Sequence, residues 1–188
     1  LQAAAACSVI VANCPGANDQ AVADLTIGLM LAGARQIPCA DSDIRQGKWA
    51  AYQGSELWRK TLGLIGLGRI GRAVAQRAAG FDMHIVAYDP YVDEGLAKGI
   101  GVELVGLEEV LAESDFVSLH TPLTEHTRHI IGCTELSQMK PTAFLVNTAR
   151  GGLIDEGALY HALVEGRLAG AALDVFADEP PTDSPLLT

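Results

Sequence analysis

The feature that most constrains this chain is the stretch 61–89, TLGLIGLGRIGRAVAQRAAGFDMHIVAYD. Residues 62–65 and 83–88 are short apolar runs of the kind that form buried strands. Between them, residues 66–71 match the pattern G-x-G-x-x-G, and residues 73–79 are good helix formers. A strand, a glycine turn, a helix and a second strand in this order are typical of a unit that binds a dinucleotide.

Each glycine of the motif has a separate physical task in such a unit. Gly66 permits the tight turn out of the strand, and Gly68 lacks a Cβ, so the backbone can approach a pyrophosphate. Gly71 lets the helix pack closely on the sheet. The free N–H groups and the dipole at the start of the helix favour a phosphate. We therefore predict cofactor contacts at these glycines and at Arg69 and Ile70 between them.

Asp89 predicts which dinucleotide binds. It follows Gly71 by 18 residues, close to the roughly 20 expected for an acid that accepts hydrogen bonds from the adenosine ribose. A carboxylate at this position repels the 2′-phosphate of NADP, and the next residues, Pro90 and Tyr91, include no arginine to bind that phosphate. The sequence therefore predicts NAD as the cofactor, with Asp89 and Pro90 in its site.

The rest of the chain continues the alternation of strands and helices. Nearly continuous apolar strands separated by helices indicate a parallel sheet that is covered on both faces. We therefore predict an α/β fold, a Rossmann-type doubly wound parallel sheet with helices on both faces. Apolar runs place further strands at 102–104, 115–119, 143–147 and 169–174, and helical patterns place helices at 106–112, 134–138 and 155–165.

A long helix is predicted near the N-terminus, at residues 18–35, with Asn18 as its N-cap. Val22, Leu25 and Leu29 lie on one stripe, and further apolar residues fill the other faces. A helix that is apolar nearly all round is buried on more than one side. We therefore expect this helix to form an interface with a second subunit or with another domain, most simply that of a two-fold homodimer.

Charge and hydropathy exclude several classes of partner. The formal net charge of −10 over 188 residues argues against nucleic acid and anionic membranes as partners. The longest strongly apolar stretch, residues 25–34, is shorter than the ~20 residues of a membrane span. The N-terminus also shows no secretory signal. We therefore expect a cytoplasmic protein.

Cysteines and histidines suggest neither a metal site nor an acid/base for hydride transfer. The cysteines form no C-x-x-C pair and no zinc-like spacing, which predicts buried, reduced thiols at Cys7, Cys14, Cys39 and Cys133. His84, within a strand, is expected to pack, whereas His120, at a strand end, either lines the cofactor pocket or packs. Ordinary surface positions are expected for His126, His129 and His161.

Polar residues follow the predicted strands at the edge where such sheets bind ligands. Arg150 follows a buried strand and is suited to bind a carboxylate or ketone oxygen, unless it is simply a surface arginine. Asp174 is suited to accept from a nicotinamide carboxamide, unless it caps a turn. Besides these two, the predicted cofactor site at this edge contains His120, Thr121, Pro122, Thr127, Thr148 and Ala149.

Several motifs in one order carry a family resemblance. They are PGANDQAVADLTIGLMLAGAR, GLGRIG followed by YDP, LHTPLTEHTRHII, FLVNTARGGLIDEGAL and GAALDVFADEP. Together they cover nearly the whole chain, which resembles the D-isomer-specific 2-hydroxyacid dehydrogenase family. The resemblance implies an NAD-binding domain inserted into a discontinuous substrate domain, and a homodimer formed through the cofactor domains. We expect residues 1–13 to be a remnant of the substrate domain or hinge, residues 14–188 to be the NAD-binding domain, and the substrate domain to be largely absent.

The resemblance also implies catalytic roles. Arg150 would bind and polarise a 2-oxo acid, and Glu179 would hold a catalytic histidine and raise its pKa. The family's histidine follows the last motif and would fall beyond Thr188, so we expect this piece alone to be inactive. Asp24 departs from the family's usual Glu, which we interpret as a mild structural change.

The function predicted is oxidoreduction between a 2-oxo acid and a D-2-hydroxy acid. The alternative is a corepressor-like module that senses NAD(H) without turnover. Arg150 and Glu179 favour the enzyme, because a sensor needs neither.

Overall fold

The predicted parallel sheet and its flanking helices are both found in the computed structural model, which describes residues 2–187. Leu1 and Thr188, the outer ends of the two predicted segments, lie outside the described residues. The strands are Thr61–Ile65 (β1), His84–Tyr88 (β2), Glu103–Leu104 (β3), Phe116–Leu119 (β4), Phe144–Asn147 (β5) and Gly170–Leu173 (β6). The α-helices are Gln2–Ala6 (α1), Asp19–Ala34 (α2), Ile37–Arg45 (α3), Arg69–Ala78 (α4), Glu94–Gly99 (α5), Leu107–Glu113 (α6), Cys133–Gln138 (α7) and Glu156–Val164 (α8).

The order of the six strands is β3-β2-β1-β4-β5-β6, and every neighbouring pair is parallel. The chain moves outward from β1 in one direction and then returns to add β4 on its other side. Such a reversal leaves a crevice beyond the carboxyl ends of β1 and β4, where doubly wound sheets bind ligands.

Two apolar clusters hold the helices on the two faces of the sheet. Leu62, Leu64 and Phe116 contribute to the cluster beneath α2 and α4. Val117 and Leu119 contribute to the cluster beneath α6, α7 and α8. Because successive side chains of a strand alternate between faces, continuous apolar strands serve both clusters at once.

Within this chain, helix α2 is buried on one side only, so its predicted burial on a further side stays a prediction about an interface. Ala23, Ile27 and Met30 pack into the cluster beneath α2 and α4. Leu25, on the opposite side, is 40% exposed, because no other described element covers that face. Asn18 precedes the helix but makes no side-chain capping bond.

The cysteines and His84 also differ from expectation. All four cysteines are unpaired, as predicted, but exposed, because they lie in the N-terminal segment or on outer helix surfaces. His84, the first residue of β2, is exposed beside Glu103, with Nε2 and Oε2 3.7 Å apart. Within residues 2–187, no helix combines the length and apolar character that a bilayer crossing requires.

Candidate functional site

A cleft of about 420 Å³ opens at the carboxyl ends of β1, β2 and β4. It lies where the strand order reverses, as expected for a ligand site in this fold. The residues predicted for the cofactor that line it are Gly66, Gly68, Asp89, Pro90, His120, Thr121, Pro122 and Thr127.

At two positions of the motif, the backbone conformation and packing of the chain require glycine. Gly66 has a φ of +99°, and a Cβ there would lie 2.8 Å from the backbone carbonyl of His120. A Cβ on Gly71 would clash with the carbonyl oxygen of Gly66. Gly68 differs, because a Cβ there would meet no protein atom within 4 Å. Its missing side chain therefore leaves open space beside the cleft, as close approach of a pyrophosphate requires.

The N-terminus of α4 carries partial positive charge next to this open space. The helix begins at Arg69, and its N-cap, Gly68, has no side chain to occupy the first N–H groups. Ile70 and Gly71 complete the first turn. Uncapped N–H groups and the positive end of a ten-residue helix favour an anion at this position.

Asp89 is held by two backbone donors. Leu67 N donates to Oδ2 at 2.8 Å, and Tyr91 N donates to Oδ1 at 2.9 Å. Each carboxylate oxygen has a second lone pair, so both can still accept a hydroxyl hydrogen. The carboxylate is thus pre-oriented at the end of β2, where the predicted ribose contact requires it.

His120 joins the glycine turn to the end of β4. Its backbone N donates to Ile65 O at 2.8 Å, and its Nε2 lies 2.9 Å from Ser118 Oγ. Burial lowers the pKa of His120 to about 4. The ring is therefore neutral near pH 7.

The loop of residues 122–127 lines another side of the cleft, and its shape is fixed by internal hydrogen bonds. Thr127 Oγ1 donates to Pro122 O at 2.7 Å and accepts from Thr124 N at 2.7 Å. His126 is exposed as predicted, but it lines the cleft and is not an ordinary surface residue. The sequence prediction missed it together with Ile65, Tyr88, Tyr91, Thr124 and Ile130. The two tyrosines could have been predicted from the sequence, because they lie one residue before and two residues after Asp89.

The other residues predicted for the cofactor do not line the cleft. Arg69, Ile70 and Gly71 lie in the first turn of α4, and the rest lie farther along the same sheet edge, after β5 and β6. Asn147 fixes this turn, because its Oδ1 accepts from Ala149 N at 3.0 Å and its Nδ2 donates to Arg150 O at 2.9 Å. Thr148 Oγ1 lies 3.0 Å from Thr26 Oγ1 in α2. Arg150 is exposed, as is Asp174, whose N donates to Asn147 O at 3.0 Å.

Glu179 lies in a loop that packs against the turn of Arg150. Gly151, the next residue, approaches the backbone of Phe176 so closely that a Cβ would clash with it. Phe176 N in turn donates to Glu179 Oε1 at 3.1 Å. The two predicted catalytic residues are thus in neighbouring loops. Within residues 2–187, no group of three or more His, Cys, Asp or Glu side chains is arranged to hold a metal ion.

Comparison with known proteins gives a consistent result. The family model described as D-isomer specific 2-hydroxyacid dehydrogenase, NAD binding domain, matches residues 27–188. The chain is 53% identical over 191 residues to D-3-phosphoglycerate dehydrogenase of Methanocaldococcus jannaschii, covering all of this chain and 36% of that protein. It is 53% identical over 175 residues to hydroxypyruvate reductase of Thermotoga maritima, covering 92% of this chain and 56% of the relative.

A solved structure matches as well. The crystal structure of D-lactate dehydrogenase from Aquifex aeolicus, complexed with NAD and lactic acid, superposes with a TM-score of 0.85 at 35% identity. The match covers 96% of this chain and 55% of that one. The chain therefore spans from about a third to a little over half of the length of these relatives.

Proposed function

Because the chain belongs to the D-isomer specific 2-hydroxyacid dehydrogenase family and comprises its NAD-binding domain, we propose that the protein interconverts a 2-oxo acid and a D-2-hydroxy acid. The proposal rests mainly on the observation that the glycine turn, Asp89 and the loops of Arg150 and Glu179 all lie at one edge of the sheet. The relatives are named for phosphoglycerate, hydroxypyruvate and lactate, which are 2-hydroxy or 2-oxo acids. No feature of the site favours the alternative of a sensing module.

We propose the following placement of NAD along this edge. Asp89 accepts the adenosine ribose hydroxyls, and the turn from Gly66 to Gly71, with Arg69 and Ile70, binds the pyrophosphate. Asp174 accepts from the nicotinamide carboxamide. The remaining contacts come from Pro90, His120, Thr121, Pro122, Thr127, Thr148, Ala149 and Arg150.

The chemistry is divided between cofactor and protein. Bound NAD supplies hydride exchange with the substrate carbon. The exposed guanidinium of Arg150 binds the substrate carboxylate and polarises its 2-oxo group. Glu179 orients the histidine that transfers the proton.

Replacing Asp89 with alanine is expected to weaken NADH binding about tenfold and to relax the preference over NADPH. Hydrogen bonds to a charged group contribute about 1.5–3 kcal/mol, and removing the carboxylate also removes repulsion of the 2′-phosphate. Calorimetric titration with both cofactors measures the ratio. Asp93→Ala is the matched control, because Asp93 also accepts from two backbone N–H groups, at the start of α5, but does not line the cleft. An unchanged NADH/NADPH ratio in the Asp89 variant would show that the carboxylate does not contact the ribose.

We further propose a two-fold homodimer through the helix region 18–35. The exposed side of α2 carries Leu25 and Gly28, where a Cβ would meet nothing within 4 Å. Light scattering should then give about twice the 19.7 kDa of one chain. Leu25→Arg should convert the dimer to a monomer, whereas Leu96→Arg, at the similarly exposed Leu96 of α5 (42%), should not. A soluble wild-type monomer at high concentration would contradict the dimer.

A further proposal concerns the domain boundary within the chain. We propose that residues 1–13 belong with the hinge and 14–188 with the NAD-binding domain, since α1 buries none of its residues. Limited proteolysis that removes α1 without loss of NADH binding would support this division, and loss of binding would contradict it.

We also propose a cytoplasmic protein without nucleic-acid or membrane partners, supported by its charge of −10 and its unpaired thiols. Cell fractionation that finds it on membranes would contradict this.

A further inference from the structure

Ser118 and His120 form a pair at the end of β4, and the placement of NAD gives Ser118 no role. Ser118 is 0% exposed, and its hydroxyl has one hydrogen-bond partner among the described residues, His120 Nε2 at 2.9 Å. The other ring nitrogen of His120, Nδ1, has no hydrogen-bond partner in the part of the chain that the structure describes. One nitrogen is therefore used by the protein, and the other is left for a ligand.

The burial of Ser118 determines which ring nitrogen carries the hydrogen. If Nε2 carried it, the Ser118 hydroxyl would accept that bond and leave its own hydrogen buried without an acceptor. A buried donor left unsatisfied is unfavourable. If Nε2 is bare, Ser118 donates to it and the hydroxyl is satisfied. The hydrogen of a neutral His120 then resides on Nδ1, and the low pKa of this half-buried residue keeps the ring neutral.

His120 lies against the phosphate-binding turn. Its carbonyl carbon is 2.8 Å from the position of a Cβ on Gly66, and its own Cβ is 3.8 Å from that of a Cβ on Gly71. The residue also lines the cleft. His120, whose ring would carry this N–H, therefore lies next to the place where the oxygens of the dinucleotide backbone are expected.

We propose that Ser118 is a positioning residue that holds His120 as the neutral Nδ1–H tautomer, and that this Nδ1–H donates to a phosphate or ribose oxygen of bound NAD. The second part rests on the proposed function, whereas the tautomer is a property of the protein alone. A neutral donor at this position binds the oxygen without the desolvation that a buried cation requires.

The tautomer is tested without any cofactor. In protein labelled with ¹⁵N-histidine, long-range ¹H–¹⁵N spectra distinguish the two neutral tautomers, and the signal missing from His120→Asn identifies His120. We expect Nδ1–H in the wild type and a loss of that preference in Ser118→Ala. Finding Nε2–H, or a protonated ring at pH 7, would overturn the proposal.

Cofactor binding tests the second part. Asparagine places an amide N–H near the position of Nδ1, whereas glutamine places it near Nε2. In NADH titrations, His120→Gln and Ser118→Ala should bind about three- to tenfold more weakly than the wild type, and His120→Asn should bind more tightly than His120→Gln. Ser114→Ala is the matched control, because Ser114 is equally buried, its hydroxyl has no partner among the described residues, and it does not line the cleft.

The outcomes separate the two proposals. Equal NADH affinity in all four variants, or tighter binding by His120→Gln than by His120→Asn, would overturn the role of Nδ1–H. Failure of the wild type to bind NADH would overturn the proposed function, while the NMR measurement would still decide the tautomer.

Discussion

Replacing Gly71 with alanine is expected to abolish measurable NADH binding at micromolar concentrations and to lower the free energy of unfolding by about 1–3 kcal/mol. A Cβ at this position clashes with the carbonyl oxygen of Gly66, which is part of the backbone and cannot rotate away. The start of α4 must then move off β1, and the N–H groups that face the cleft move with it. Chemical denaturation and calorimetry measure the two losses.

Gly68→Ala separates folding from binding. Its Cβ meets no protein atom within 4 Å, so the expected loss of stability is that of alanine at an N-cap, about 1 kcal/mol or less. The same methyl group occupies space proposed for the pyrophosphate, and NADH should bind about tenfold or more weakly. Gly80→Ala, also free of contacts and remote from the cleft, should leave both properties unchanged. Wild-type NADH affinity in the Gly68 and Gly71 variants would show that the turn does not bind the cofactor.

Replacing Gly151 with alanine is expected to destabilise the protein by about 3 kcal/mol, near the upper end for overpacking. The added Cβ would overlap the backbone of Phe176, so the two loops must separate. For a chain of this length, such a loss lowers the midpoint of thermal unfolding by about 6–12 °C. Calorimetry or circular dichroism on heating measures it.

The neighbouring glycine supplies the control. A Cβ on Gly152 would lie 3.0 Å from Leu123 Cδ2, the end of a flexible side chain that can move. Gly152→Ala should therefore cost much less than Gly151→Ala. Equal midpoints for the two variants would contradict the close packing of the Arg150 turn on the loop of Glu179.

The central part of the fold was predictable because its signals are local. The glycine motif and the apolar runs around it specify β1, α4 and β2, and alternating apolar segments locate the other strands. Helix α5, Glu94–Gly99, was missed because only Ala97 in it is buried, so no apolar stripe marks it. Its signal was Asp93, whose carboxylate caps the helix by accepting from the N–H groups of Gly95 and Leu96.

The site was predictable to the extent that strand ends determine it. Asp89 and His120 follow buried strands, and the sheet topology alone brings them to the same cleft. Thr124 and His126 lie in a loop whose shape depends on hydrogen bonds to Thr127, which no spacing rule predicts. The role of Glu179 came only from the family resemblance, since an acidic loop by itself indicates a solvated surface.

NAD binding at this sheet edge can be tested by a calorimetric titration of this chain with NADH and, separately, with NADPH. We expect saturable binding of one NADH per chain and at least about tenfold weaker binding of NADPH, because Asp89 is held by two backbone N–H groups at the proposed ribose position. No heat of binding with NADH at millimolar concentration, or equal affinity for both cofactors, would contradict it.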